Sequence, residues 1–203
     1  VFNLKGKLIP LTDENVVLVG HMSDGEIIEG EHHITEYRKK IEKVTYKTMP
    51  TANDDAIEAI MEADLVILSM GSLYTSIIPN LLIPEMRMAL KKTPAKIMYI
   101  CNMMTQPGET DNFKVSDHVK ILNSYLRDRE LDIIMANNSE INDEMIERYS
   151  YLEQKERVIF DRENLKEYQL IEDNFVTITN NMIRHDGLKV SLRIFEYLLK
   201  GDE

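Results

Sequence analysis

The stretch Asp64–Glu85, DLVILSMGSLYTSIIPNLLIPE, decides how this chain reads. Leu65 to Leu68 is an unbroken apolar run with Met70 just beyond it, and Gly71 ends it. Ser72, Thr75 and Ser76 follow, and then a new apolar-periodic segment begins. A short buried strand, a glycine turn and a helix start dense in hydroxyls is how a parallel α/β sheet turns backbone N–H groups toward a phosphate. The bland alternative is a plain strand-to-helix turn with Thr75 or Ser76 as N-cap, worth about 1 kcal/mol.

Downstream of Pro50 the chain alternates helix and strand. Asn53 caps a helix whose first turn carries Asp54, Asp55 and Glu58, charges that suit the positive end of the helix dipole. Ser76–Leu82 and Pro84–Lys92 read as consecutive helical pieces, Lys96–Ile100 as a strand, and Cys101–Ser116 as a long loop. Asp117–Arg129, Asp132–Ala136, Asn142–Gln154 and Val158–Phe160 continue as helix, strand, helix and strand, and Ile183–Asp186 leads into a last helix, Leu188–Leu199. Upstream, Val16–Met22 and Glu26–Glu29 form a hairpin about Asp24-Gly25, and Ile41–Lys47 adds a third strand. The fold class is therefore α/β: a Rossmann-like, three-layer parallel sheet with helices on both faces, plus a small N-terminal β-hairpin element. We divide it into 1–49, the hairpin and strand element packed on the main domain, and 50–203, the main α/β domain.

Composition narrows the function. At 203 residues, 43% hydrophobic and 29% charged, the chain can bury a sizeable core. A net charge of −11 argues against a nucleic-acid partner, and Arg38-Lys39-Lys40, flanked by Glu36 and Glu42, reads as a solvated face. No apolar stretch approaches the roughly 20 residues of a membrane span. The single Cys101 favours a reducing compartment, so the expected location is cytoplasmic.

Three polar segments fall at strand ends or helix starts, where open α/β sheets bind ligands. The first is Gly71–Ser76. The second runs from Asn102 to Asp111: Asn102, Thr105 and Gln106 can read a base or sugar, and Glu109 and Asp111 could bind Mg²⁺ through water. Its alternative is a solvated loop in which Pro107-Gly108 makes a type II turn. The third is Arg184-His185-Asp186, where Asp186 is more simply a helix cap than a catalyst. Asp117 reads as a cap and His118 as a first-turn surface residue. His32-His33 lacks partners at zinc-ligand spacing. The clustered methionines read as core filler.

These motifs carry a resemblance. ADLVILSMGSLYTSIIPNLLIPE, then ICNMMTQPGETDNFKVSDHV, later IRHDGLKVSLRIFEYL and, near the start, LIPLTDENVVLVGHMSDGEIIEGE resemble the bacterial gluconeogenesis factor family (YvcK-like). That family lies within the 2-phospho-L-lactate transferase (CofD-like) superfamily. Ser69-Met70-Gly71-Ser72 stands where the family usually has Gly-Pro-Gly-Ser. The family's first strand and glycine-rich loop have no counterpart, so the chain resembles the C-terminal two-thirds of such a protein.

The resemblance implies a nucleotide or nucleotide-sugar ligand of the UDP-N-acetylglucosamine type. It assigns Gly71, Ser72, Leu73, Tyr74, Thr75 and Ser76 to a phosphate-facing loop, with Asn80 one turn on. It assigns Asn102, Thr105, Gln106, Gly108, Glu109 and Thr110 to a second wall, and brings Arg184 and His185 toward the ligand. Two functions follow as expectations. One is a regulatory factor for cell shape and cell-wall metabolism on gluconeogenic carbon, expected to be a homodimer. The other is an Mg²⁺-dependent enzyme passing a phospholactyl group from a nucleotide diphospho donor, with Glu109 and Asp111 holding the metal. NAD(P) is not expected, because no G-x-G-x-x-G occurs among the eight glycines.

Overall fold

Period-2 alternation in the central strand organises the molecule, which a computed structural model describes over residues 5–180 and 182–200. The chain opens with a hairpin, β1 (Leu18–Met22) and β2 (Ile27–Glu29), turned at Asp24-Gly25 with Gly25 at φ 90°. Helix α1 (Glu31–Tyr37) follows, and β3 (Ile41–Tyr46) returns along the far side of β1, giving the antiparallel order β2-β1-β3. The sequence reading has no helix at α1. Its single buried side chain, Ile34, leaves no period to detect, and it is seated where a Cβ on Gly20 would stand 3.0 Å away.

Asn53 caps α2 (Asp54–Met61) by accepting the Asp55 N–H at 2.9 Å. Strand β4 (Leu65–Leu68) then leads through a π-helical turn at Leu73–Ile77 into α3 (Ile78–Leu82), α4 (Pro84–Lys92) and strand β5 (Lys96–Ile100). After a long loop come α5 (Val115–Leu126), β6 (Ile133–Asn137), α6 (Asp143–Glu153) and β7 (Gln169–Asp173). A ribbon of β8 (Val176–Thr179) and β9 (Met182–His185) precedes α7 (Gly187–Lys200).

Strands β4, β5, β6 and β7 form one sheet in that order, parallel throughout. Ile97, Tyr99 and Cys101 point into a core shared with the π-turn, α3 and α5. Met98 and Ile100 point to the opposite face, against Phe175 and Val190 of α7. Those two cores make the three-layer, Rossmann-like architecture. Leu18, Met22, Ile41 and Val44 of the small sheet join the first core, so the hairpin element is held by the same apolar cluster as the parallel sheet. The other face of α7 leaves Leu188, Leu192, Phe195 and Leu199 exposed.

Three expectations are corrected. Val158–Phe160 is not the fourth strand: it makes isolated bridges, with Val158 N–H donating to Met103 C=O and Val115 N–H donating to Ile159 C=O, and so braces the long loop. The fourth strand is β7. Helix α5 starts at Val115, before the expected position, and Asp117 accepts the Lys114 N–H from inside the first turn. His118 is therefore turned inward and has no exposed surface.

The Pro107-Gly108 turn ties the long loop to the small sheet. Glu109 N–H closes it onto Gln106 C=O at 3.0 Å, and Gly108 sits at φ 82°, as a type II turn requires. A Cβ on Gly108 would stand 2.9 Å from the Arg38 and Lys39 backbone, while the Gly108 carbonyl accepts the Ile41 N–H at 3.0 Å. Gly108→Ala should therefore destabilise by more than about 2 kcal/mol, combining a left-handed backbone penalty with a backbone collision. Urea denaturation checks this; a loss below about 0.5 kcal/mol would mean that the turn does not clamp the small sheet.

Candidate functional site

The carboxyl ends of β4 and β5 open into a crevice, the position at which open parallel sheets take ligands. After β4 the chain reverses sharply, with Gly71 N–H donating to Ser69 C=O at 2.8 Å. A Cβ at Gly71 would stand 3.0 Å from the Ser76 Cβ, so the small residue is required by the turn's own helix. Only Gly71 and Ser72 of the first segment reach the crevice. Leu73, Tyr74 and Thr75 are buried in the core, and Ser76 is exposed on the helix side.

Beneath the turn lies Glu109, 4% exposed. Its Oε2 accepts the Tyr74 N–H at 2.9 Å, and its Oε1 accepts from Thr75 Oγ1 at 3.2 Å and Gln106 Nε2 at 2.7 Å. Burial raises the pKa of this carboxyl, and the hydrogen bonds from Tyr74 and Thr75 oppose the rise. The helix start that the sequence reading offered to a phosphate thus already serves the protein's own carboxylate. Both Glu109 oxygens accept hydrogen bonds from protein donors. Asp111 accepts the Gly108 N–H at 2.8 Å, and no group of three His, Cys, Asp or Glu able to hold a metal occurs among the described residues.

Gln106 is the hinge between the two walls. It donates to Glu109 and accepts from Ser72 Oγ at 2.8 Å. Asn102 donates through Nδ2 to Gly71 C=O at 3.0 Å, and its Oδ1 is buried without a partner. The Thr105 and Thr110 hydroxyls are used internally, accepting the Glu156 and Gln106 N–H groups, although Thr105 also borders the crevice. Asn80 lies outside it, exposed, with its amide on Ser76 and Ile77 C=O.

The third segment divides as its chemistry suggests. Asp186 Oδ1 accepts the Leu188 and Lys189 N–H groups at 3.1 Å each, making it the cap of α7. Arg184 is exposed, borders the crevice and makes no ion pair among the described residues. His185 is turned behind it, 3.1 Å from Cys101 C=O, and burial lowers its pKa, which keeps the ring neutral. Burial pushes the Cys101 thiol up to about 12, so it is inert at neutral pH.

Two cations that the sequence reading did not assign to the site also border it. A hollow of 310 Å³ beside Gly71, Asn102 and Arg184 adjoins one of 670 Å³ bordered by Arg38, and Ser72, Gln106, Glu153 and Lys155 border both. Arg38, read earlier as a solvated charge, is at φ 52° at the end of α1 and reaches Gln154 Oε1 at 3.4 Å. Lys155 is paired with Glu153 at 2.6 Å. Neither cation lies in a motif; contacts between residues 116 positions apart bring them together.

The structure is a Rossmann-like sheet with a polar crevice at its strand ends and cations at the crevice rim. Residues 1–176 match the family described as 2-phospho-L-lactate transferase CofD, and the chain belongs to it. Its similar relatives include proteins named gluconeogenesis factors. It is 42% identical to the gluconeogenesis factor of Bacillus subtilis over 98% of its own length and 63% of that protein. It is 39% identical to a putative gluconeogenesis factor of Thermotoga maritima over 94% of its length and 62% of that one. The crystal structure of a UPF0052 family member from Bacillus halodurans superposes with a TM-score of 0.89 at 37% identity, over 95% of this chain and 63% of that one. The chain thus spans somewhat less than two thirds of these relatives.

Behind the crevice, His118 Nδ1 pairs with Tyr99 Oη at 3.0 Å, and its Nε2 has no partner. Burial lowers its pKa to about 4, against a smaller opposing effect of Asp117. The folded state therefore refuses a proton that the unfolded chain accepts, and stability falls as pH drops from about 6.5 toward 4. Between pH 7 and 5 the wild type should lose about 2 kcal/mol more than His118→Phe does. Parallel denaturation curves at the two pH values test this, and equal losses would refute it.

Proposed function

We propose that the protein binds a nucleotide diphosphate sugar of the UDP type in the crevice, and works in the cytoplasm as a regulatory factor for cell shape and cell-wall metabolism during growth on gluconeogenic carbon. The observation that carries this reading is the pairing of a polar floor, Ser72, Asn102 and Gln106, with a rim of cations, Arg38, Lys155 and Arg184, in a chain of net charge −11. Such a rim offsets the charge of a diphosphate, and the planar guanidinium groups suit its oxygens. A homodimer forms part of the proposal, and light scattering on the purified protein tests it.

The relatives' names support a factor acting in gluconeogenesis, and the family's name supports transfer chemistry. Between these, the engagement of Glu109 by three protein donors favours binding over Mg²⁺-assisted transfer. We therefore expect no phospholactyl transfer to a deazaflavin acceptor in the presence of Mg²⁺; turnover in that assay would reinstate the transferase reading.

Calorimetry with UDP-N-acetylglucosamine tests the site. Arg184→Ala should weaken binding by about 1.5–3 kcal/mol, the range for charged hydrogen bonds, at unchanged stability. Asp186→Ala should do the reverse, costing about 1 kcal/mol of stability with the affinity retained. Equal affinity for Arg184→Ala and wild type would remove β9 from the site.

A further inference from the structure

We propose that the protein takes a second ligand, a small molecule with an apolar body and an anionic end, in a hollow between β3, α4 and the end of α5. This hollow shares no lining residue with the two that make up the crevice, so the proposal stands apart from the nucleotide-sugar reading.

The hollow measures 450 Å³, within the range of sites that hold small molecules. Val44, Leu82, Ile121, Tyr74 and Tyr125 make most of its wall apolar. Burial pushes the Tyr74 phenol up to about 12 and raises that of Tyr125 as well, so neither hydroxyl adds a negative charge.

Lys43, Arg87 and Arg127 line the same hollow against one carboxylate, Glu42, a local excess of positive charge in a chain of net −11. None of the three cations makes an ion pair among the described residues. Asp128, next to Arg127 in sequence, is tied instead to Lys91 at 2.8 Å. Arg87 is oriented by donating through Nη1 to the Leu81 and Leu82 C=O groups at 2.9 and 2.7 Å. Among the described residues its other nitrogens have no hydrogen bond. Burial, and then the charge of Arg127, lower the Arg87 pKa against an opposing effect of Glu85. An arginine keeps its charge regardless, so two guanidinium groups stand close enough to repel. An anion bound to both removes that repulsion, and the planar forks match the oxygens of a carboxylate or a phosphate.

Arg127 also holds a backbone position that glycine adopts at lower cost, since it ends α5 at φ 63°. Replacing it by glycine therefore removes the charge without removing support from the fold.

The probes are naphthyl phosphate and naphthoate, one for each anionic end, with neutral naphthol as the control. Each is titrated into protein with isotope-labelled methionine methyl groups and followed by NMR. The signal of Met49, which lines the hollow, should move and saturate with at least one of the two anions. Naphthol should bind about tenfold or more weakly. Arg127→Gly should weaken the anion about five- to tenfold, at unchanged or raised melting temperature, and leave naphthol within about twofold. Lys43→Ala, at an exposed position, supplies a second variant and should weaken the same anion about two- to threefold. A Met49 signal unmoved by either anion would overturn the proposal, as would shifts confined to Met70, Met104 and Met182 of the crevice. So would naphthol binding as tightly as the anions, or both variants binding them as wild type does. Failure of UDP-N-acetylglucosamine to bind would leave these outcomes unchanged and count only against the reading of the crevice.

Discussion

Everything at the strand ends depends on one buried carboxylate. Glu109 holds the Tyr74 N–H, the Thr75 hydroxyl and the Gln106 amide at once. Leaving such a charge buried with a missing donor costs several kcal/mol, whereas each charged hydrogen bond returns about 1.5–3 kcal/mol. The three donors must therefore form together, and they come from two loops that are not adjacent in sequence. Fixing Glu109 fixes the start of the π-turn after β4, the face that Gln106 shows to the crevice, and the Pro107-Gly108 turn just before it. Through Gly108 the same constraint reaches Arg38, because the glycine packs directly on that residue's backbone.

This arrangement changes the usual logic of a glycine turn before a helix. Free N–H groups at a helix start form an anion seat. Here an internal carboxylate occupies it, so what the turn leaves to the crevice is side chains: polar groups on the floor and cations on the rim. Within the turn, Gly71 makes the close approach to Ser76, where a Cβ would stand 3.0 Å from the Ser76 Cβ.

The parallel sheet was legible because its strands are short apolar runs bounded by turn residues, and Lys96–Ile100 matches β5 residue for residue. Caps at Asn53 and Asp186 were legible for the same local reason: a short polar side chain precedes a helical period. What failed was long-range. Nothing local separates Val158–Phe160 from Gln169–Asp173 as partners for β6, because the choice is made by which segment the loop at Met103 captures. His118 looked exposed since a start of α5 only two residues later would rotate it outward. At the site, residue types were identified more readily than roles. Glu109 was singled out as an acid near the ligand, yet an acidic side chain in a loop gives no sign that its donors lie 35 residues upstream. Arg38 and Lys155 carry no motif, and only the folded chain puts them on one rim.

A strongly acidic protein is an unexpected host for the anionic ligand proposed above. Most of the charge behind −11 is solvent-exposed and screened within about 10 Å at ordinary ionic strength. What the ligand meets is local. At the crevice Glu153 is tied to Lys155, and Glu109 lies under the turn with its charge spread over three donors. The cations at the mouth are thus opposed at close range chiefly by Glu36, on the last turn of α1 beside Arg38. The field at the crevice is set by those few groups rather than by the net charge.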